Sequence, residues 1–190
     1  MSIFGQTLRQ NILGFADALD SVGTDRQWVL SVMQSHGNEL VTLLWRILGN
    51  EQDVCDVYQS TFLRLAHLKA GRKPAHVKAY VFRTASNTAI SLLRSRASEK
   101  KRLIQSTQPD TYHESPEHEV NQRLLIDNMR YYITQLPDHL REVVTLRDLA
   151  EMSYSQIARV LGITAGTARV YRCKALTLLA AWMNKNGKRD

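Results

Sequence analysis

The stretch that decides the fold is "YSQIARVLGITAGTARVYRCKALTLL", residues 154–179. Apolar residues recur through it at helical spacing, and the interval between its two apolar runs holds Gly162 and Thr164. Glycine favours the end of a helix, and a threonine hydroxyl can cap the next helix by accepting a hydrogen bond from an unpaired backbone N–H. The stretch therefore predicts two short helices joined by a tight turn.

The second of these helices has two different sides. Helical periodicity assigns the core side to Ala168, Tyr171, Ala175, Leu178, Leu179 and Trp182, and the free side to Gly166, Arg169, Val170 and Cys173. No acidic residue stands between Met152 and Arg189. An ordinary solvated helix, by contrast, carries side chains of both positive and negative charge. A free helix face with an arginine suits the DNA major groove, because arginine can bind guanine in bidentate fashion and small apolar groups can touch a thymine methyl.

Composition agrees with a polyanionic partner. The chain has 190 residues, a net charge of +7 and a pI near 9.6, which suits one or two small domains that meet nucleic acid. Cys55 and Cys173 lie far apart without a CxxC or Cys/His companion, so neither a disulfide framework nor a zinc site is expected, and no cofactor is expected. The cysteine pattern fits a reducing cytoplasm, which is the expected location. The longest apolar runs are too short to span a bilayer, so no membrane insertion is expected.

The remaining periodicity predicts an all-α fold. Helices are expected at about 25–48, 51–68, 76–98, 121–135, 138–150, 153–161 and 165–183. The stretch "QSTQPDTYHESPEHE" holds two prolines, four acidic residues and no Lys or Arg, which is typical of a flexible acidic linker. The expected organisation is an N-terminal extension at 1–24 with a short amphipathic helix, a domain at 25–102, a linker at 103–120 and a second domain at 121–190.

The C-terminal motif resembles region 4 of bacterial sigma-70 family factors. The matching positions are Leu136-Pro137, Arg141-Glu142-Val143, Ser153-Tyr154, Ile157-Ala158, Leu161-Gly162-Ile163 and Gly166-Thr167. The resemblance implies a helix-turn-helix that binds the −35 promoter element, with contacts from Arg147, Thr164, Gly166, Thr167, Arg169, Val170, Arg172, Cys173 and Lys174. Among these, Arg172 and Lys174 flank the free face and suit phosphates. Regulators of the LuxR type share much of this motif, so the other domain must decide between the two families.

"GNEQDVCDVYQSTFLRL" at 49–65 and "KAYVFRTASNTAISLLRSR" at 78–96 resemble sigma region 2. In that family the first of these helices docks on the β′ subunit of RNA polymerase, and the resemblance implies a docking surface made by Asp53, Asp56, Gln59, Phe62 and Leu63. Helical spacing also predicts that Val54, Tyr58, Phe62 and Leu65 face the domain core. For Asp53 a purely local role, favouring the positive N-terminal end of its helix, stays open.

The third predicted helix carries the positive charge of this domain. From His76 to Arg102 there are seven Lys or Arg against one Glu, an imbalance that attracts a phosphate backbone. The resemblance implies contact with the −10 element and strand opening there, and the loop "HLKAGRKPAH" is expected to form a pocket for one flipped-out base. The expected contact residues are Lys69, Arg72, Lys73, Lys78, Arg83, Asn87, Arg94 and Arg96.

Two motifs in this order, without the extra regions of housekeeping factors, resemble the extracytoplasmic-function group of sigma factors. The resemblance implies a specificity subunit with three partners: the β and β′ subunits of core RNA polymerase, promoter DNA and an anti-sigma protein. No Gly-rich phosphate loop, nucleophile-base pair or carboxylate cluster supports an enzyme. A stand-alone helix-turn-helix regulator of the LuxR type remains the alternative. The relative placement of the two domains is expected to depend on the partner.

Overall fold

The computed structural model describes residues 27–67, 73–106 and 117–186, and within these ranges all regular structure is helical. The predicted all-α class is confirmed. The helices are α1 (Gln27–Leu48), α2 (Glu51–Ala66), α3 (Val77–Ser106), α4 (Glu117–Gln135), α5 (Asp138–Val144), a π-helical turn (Thr145–Leu149), α6 (Tyr154–Leu161) and α7 (Ala165–Asn186). The amphipathic helix predicted in the N-terminal extension lies outside the described residues.

Two helices are longer than the sequence predicts. Helix α3 continues to Ser106 and α4 begins at Glu117, so both enter the predicted linker at 103–120. The residues after 98 in α3 are mostly Glu, Lys, Arg, Leu and Gln, which are good helix formers even where no apolar periodicity marks them. The middle of the predicted linker, residues 107–116, lies outside the described part of the chain.

Helices α1, α2 and α3 pack into the first unit. Their facing sides are apolar, and the core includes Leu44, Val54, Phe62 and Phe82, each with at most 1 % of its surface exposed. Asn50 fixes the start of α2, because its side-chain oxygen accepts the Asp53 N–H at 2.9 Å. The predicted core positions of α2 are therefore confirmed, and the opposite side of the same helix is left for contacts outside the unit.

Helices α4 to α7 form the second unit. Its own apolar cluster contains Tyr132, Ile133, Leu136, Leu140, Val144, Ala175 and Leu179. The helix predicted at 138–150 ends as an α-helix at Val144 and continues as the π-helical turn, where the Ala150 N–H donates to the Thr145 carbonyl at 3.0 Å. The wider turn changes which residues face the core in the segment before α6. Apolar spacing does not reveal this local effect.

The two units pack against each other. Val143, Leu146, Met152 and Ile157 of the second unit belong to the same buried apolar cluster as the core of the first unit. The π-helical turn, α5 and α6 touch α1 or α3. The side chains of α3 that face the second unit are therefore partly covered in this arrangement.

Tyr58 supplies a test of the first core. Its hydroxyl is buried, none of the described residues forms a hydrogen bond with it, and burial raises the pKa of the phenol to about 12. Because a buried donor without a partner costs about 1–3 kcal/mol, Tyr58→Phe is expected to raise the free energy of unfolding by about 1 kcal/mol in urea denaturation.

Gly37 provides the control for that prediction. A Cβ placed on Gly37 would stand 2.9 Å from the Tyr58 hydroxyl oxygen. Gly37→Ala should therefore destabilise the wild-type chain more than it destabilises Tyr58→Phe. A loss of stability in Tyr58→Phe itself would contradict this description of the core.

Candidate nucleic-acid and polymerase interfaces

The helix-turn-helix is built from local caps. Ser153 and Gln156 form a reciprocal capping box at the start of α6, with the Ser153 N–H donating to the Gln156 Oε1 at 2.8 Å. Gly162 ends α6 in the left-handed region at φ 67°. Thr164 then starts α7, because its Oγ1 accepts the Thr167 N–H at 3.0 Å. The predicted helix, turn and helix are confirmed, with Thr164 as the cap.

The two sides of α7 are also as predicted. Ala168, Ala175 and Leu179 are buried, while the opposite side exposes Gly166, Arg169, Val170, Cys173 and Lys174. Val170 has 51 % of its surface exposed, so an apolar side chain is accessible next to the guanidinium of Arg169. This surface combines groups that can read a base edge and touch a thymine methyl.

Tyr154 organises two of the predicted DNA-binding arginines. The guanidinium carbons of Arg147 and Arg169 lie 4.8 and 5.1 Å from the centroid of its ring. Arg147 is further fixed by a 2.7 Å hydrogen bond from its Nη1 to the Met152 carbonyl. The sequence reading matched Tyr154 to the family pattern but gave it no role; the structure shows that it holds both cations near the start of the motif.

Arg172 has a partner inside the protein. Its Nε and Nη2 donate to Asp148 Oδ1 at 2.9 and 2.7 Å, and this hydrogen bonding raises the pKa of Arg172. The side chain therefore ties α7 to the π-helical turn, which differs from the free phosphate contact that was expected. The prediction considered only acidic residues after Met152, and Asp148 lies just before that limit. Lys174 is exposed on the same helix.

The predicted polymerase surface on α2 is only partly available. Asp56 is exposed, Gln59 is half-buried and Leu63 has 44 % of its surface exposed; their spacing places them on one side of the helix. Asp53 and Phe62 are 2 % and 0 % exposed, so neither side chain is available to a protein partner in this structure.

Both buried residues have structural partners. Asp53 accepts hydrogen bonds from Arg96 and from Asn50, and a buried carboxylate needs such compensation. Phe62 packs against Tyr58 with ring centroids 4.8 Å apart. Asp53 therefore joins α2 to α3, and Phe62 belongs to the core.

The residues predicted to meet the −10 element have mixed surroundings. Lys69 and Arg72 lie outside the described residues, and Lys73 is exposed. Lys78 forms an ion pair with Glu39, and this contact lowers the pKa of the Glu39 carboxyl. Lys73 lies in the segment that precedes α3.

Arg83, Asn87 and Arg94 all reach the second unit. Arg83 Nε and Nη2 donate to the two carboxylate oxygens of Glu142 at 3.0 and 3.1 Å. Asn87 Nδ2 donates to Glu142 Oε1 at 3.3 Å. Arg94 Nε and Nη2 donate to the Thr134 carbonyl at 2.9 and 2.7 Å. The structure therefore places these three predicted DNA contacts against residues of α4 and α5. One of those residues, Glu142, was given no role by the sequence analysis.

Helix α4 carries an apolar surface that sequence reasoning missed. Leu124, Leu125, Ile126 and Tyr131 expose 54 %, 53 %, 45 % and 49 % of their surfaces. Large exposed apolar side chains that lie near one another are typical of surfaces that contact another macromolecule. The signal was present as "LLI" at 124–126 next to a linker, but the sequence analysis assigned these residues only to a helix.

The described ranges hold neither a metal-binding cluster nor a membrane span. Among those residues no group of three or more His, Cys, Asp or Glu could hold a metal ion. Within the same ranges, no helix has both the length and the apolar character needed to cross a membrane.

Comparison with known proteins places both units in one family. Residues 32–99 match the family described as Sigma-70 region 2, and residues 126–179 match Sigma-70, region 4. The chain is 25% identical to the ECF RNA polymerase sigma factor SigE of Mycolicibacterium smegmatis, over 73% of this chain and 54% of that protein. It thus spans about half the length of SigE.

Other relatives are matched over more of their length. Identity is 25% to the ECF RNA polymerase sigma factor SigM of Bacillus subtilis, over 81% of this chain and 94% of that protein. It is 26% to the ferric citrate uptake sigma factor FecI of Escherichia coli, over 77% and 85%. The fold is shared with CnrH, solved in complex with the cytosolic domain of CnrY, at a TM-score of 0.50 and 20% identity over 90% of this chain and 96% of that one. The chain belongs to the sigma-70 family of RNA polymerase sigma factors, in its extracytoplasmic-function type.

Proposed function

We propose that this chain binds core RNA polymerase in the cytoplasm and directs it to promoters, with α7 at the −35 element and α3 at the −10 element. The observation that carries the proposal is the presence, in one chain, of a region 2 unit and a capped helix-turn-helix with an acid-free outer face. A regulator of the LuxR type has no need of the region 2 unit. The chain acts by recognition and has no catalysis of its own.

The −35 contact is assigned to the outer face of α7. Arg169 lies near the N-terminal end of the helix and is exposed, so its guanidinium can meet a base edge in the major groove. Val170 and Cys173 extend the same face with groups that suit a thymine methyl. Lys174 and Thr167 flank it and are assigned to phosphates, as is Arg147, which Tyr154 holds beside Arg169.

The polymerase contact is assigned to Asp56, Gln59 and Leu63 on α2, facing the β′ subunit. An exposed apolar side chain next to polar ones is typical of a protein interface. A second contact, with the β subunit, is assigned to the apolar surface of α4 at residues 124–131.

The −10 contact is assigned to Lys73, which precedes α3, and to Arg83, Asn87 and Arg94 on α3. Their cationic and amide groups suit a phosphate backbone and unpaired bases. Arg96 is assigned a supporting role, because it is paired with Asp53.

An anti-sigma protein is proposed as a further partner, because the family resemblance implies one. CnrH, which shares the fold, was solved with the cytosolic domain of CnrY. In this chain the exposed apolar side chains of α4 are available to such a protein when polymerase is absent.

The docking assignment predicts a loss of polymerase binding without a loss of folding. Asp56→Arg combined with Gln59→Ala is expected to weaken core binding by about tenfold or more, since a reversed charge in an interface costs upwards of about 1.4 kcal/mol. Helical content should stay unchanged because both side chains lie at the surface of α2. Fluorescence titration of labelled chain with core polymerase measures the affinity.

The matched control is Glu99→Arg, which changes the charge by the same amount at an exposed site of α3. Its polymerase affinity should equal that of the wild type. Equal affinity for Asp56→Arg/Gln59→Ala would remove the docking assignment.

A further inference from the structure

We propose that Tyr154 is a positioning residue for promoter reading: its ring holds the Arg169 guanidinium in place by the positive charge and leaves the N–H donors free to read a base pair. The inference rests on the proposed function, because it takes Arg169 to be the base-reading side chain of α7. It goes further, because it makes the base preference at the −35 element depend on a residue of α6 that acts through another side chain.

The ring of Tyr154 is a fixed platform. Tyr154 is the first residue of α6 and directly follows Ser153, whose hydroxyl accepts the Gln156 N–H at 3.3 Å in the capping box. Its side chain is half-buried and packs against the apolar cluster that includes the fully buried Ile157. Because the backbone and the side chain of Tyr154 are both restrained, the ring can define where a neighbouring side chain lies.

Arg169 contacts this platform without using its donors. Its guanidinium carbon lies 5.1 Å from the ring centroid, which is within the range of a cation–π interaction. That attraction acts between the positive charge and the ring, so it leaves the N–H groups available for hydrogen bonds. Among the residues that the structure describes, none forms a hydrogen bond or an ion pair with Arg169. The side chain is therefore oriented while its donors stay open, as a bidentate contact with guanine requires.

The two neighbouring arginines differ from Arg169 in this respect. Arg172 gives its Nε and Nη2 donors to Asp148. Arg147 lies 4.8 Å from the same ring, but its Nη1 donates to the Met152 carbonyl at 2.7 Å. Both of these side chains are half-buried, whereas Arg169 is exposed. Of the three, Arg169 is the one that combines an aromatic contact with accessible donors.

Orientation before binding should favour the base over the phosphate. An arginine that is already held in place loses less rotamer freedom when it binds than a free one does. A released arginine could instead turn to the nearby phosphates, which carry no sequence information. Removal of the ring should therefore reduce the preference for the correct base pair by about three- to tenfold, the range expected from the ordering of one long side chain.

The test titrates the full chain with a duplex that the wild type selects from a randomised pool, and with duplexes in which one base pair is changed. Preference is the ratio of the affinities for the selected and the changed duplex. Tyr154→Leu should lower this ratio about three- to tenfold at the base pair whose preference Arg169→Ala relaxes, and should leave the ratios at the other base pairs unchanged. Tyr154→Phe keeps the ring and should keep the wild-type ratio.

A double-variant cycle separates positioning from a role in folding or a direct contact with DNA. In the Arg169→Ala background, Tyr154→Leu should cause no further loss of preference, because the side chain that the ring positions is gone. Tyr154→Met fills more of the volume of the ring and serves as a second ring-free variant with the same expected loss. A uniform loss of affinity for all sequences in both backgrounds would overturn the inference, as would a Tyr154→Phe variant that loses the preference.

The same titrations separate this inference from the proposed function. If Arg169→Ala relaxes the base preference but Tyr154→Leu and Tyr154→Met do not, the positioning role fails alone. If Arg169→Ala leaves the preference unchanged, the assignment of base reading to Arg169 fails, and the inference that rests on it fails as well.

Discussion

Phe62→Ala is expected to lower the free energy of unfolding by about 3–5 kcal/mol, the usual cost of removing a buried aromatic ring. Phe62 is 0 % exposed and packs on Tyr58 in the core of the first unit. Urea denaturation followed by far-UV circular dichroism measures the loss. The result matters because the family resemblance implied that Phe62 contacts polymerase, whereas its burial assigns it to the fold.

The neighbouring residue is the matched control. Leu63 has 44 % of its surface exposed, so Leu63→Ala should change the free energy of unfolding by less than about 0.5 kcal/mol. It should weaken binding to core polymerase instead. A stable Phe62→Ala variant that has lost only polymerase binding would show that the packing described for α2 is incorrect.

Arg169→Ala is expected to cost about 1–3 kcal/mol of binding to a selected −35 site and to relax preference at one base pair. The physical reason is the loss of a bidentate contact to a base edge from the exposed face of α7. The measurement is a titration of the full chain on the selected duplex and on its single-base variants.

Lys174→Ala is the control and should behave differently. Its loss should weaken binding to all sequences alike and reduce the slope of log affinity against log salt by about one unit, as for one phosphate contact. If both variants lose affinity equally for all sequences and base preference does not change, Arg169 contacts only the DNA phosphate backbone. The base-reading assignment is then wrong.

Sequence reasoning predicted the features that depend on neighbours in the chain. Thr164 as a cap, Gly162 as the end of α6 and the buried positions of α7 follow from hydrogen bonding and periodicity within a few residues. The ends of α3 and α4 were predicted less well, because charged helix formers extend a helix without an apolar signal. The π-helical turn at Thr145–Leu149 had no such local signal.

The site was predicted less completely, because charge partners are set by the tertiary fold. Asp53 and Arg96 are far apart in the chain, yet the packing of α2 on α3 joins them. Arg172 was expected to contact a phosphate, but the fold pairs it with Asp148. A charged residue in a pattern can be identified from sequence, whereas its partner requires the structure.

Glu142 illustrates the same limit between the two units. It matched the family pattern on α5, but nothing in its neighbourhood indicated that Arg83 and Asn87 would donate to it. The linker between the units is long and polar in sequence, so their contact could not be derived from periodicity. The contact exists because the fold brings α3 and α5 together.

The central claim is that this chain gives RNA polymerase its promoter specificity. The most direct measurement combines purified core polymerase from the source organism with the chain and with fragmented genomic DNA, and maps the 5′ ends of the transcripts. The account predicts new start sites that appear only when the chain is added, that share sequence elements near −35 and −10, and that disappear with Asp56→Arg/Gln59→Ala. A chain that binds DNA but leaves the start sites of the core enzyme unchanged would contradict it and favour a stand-alone regulator.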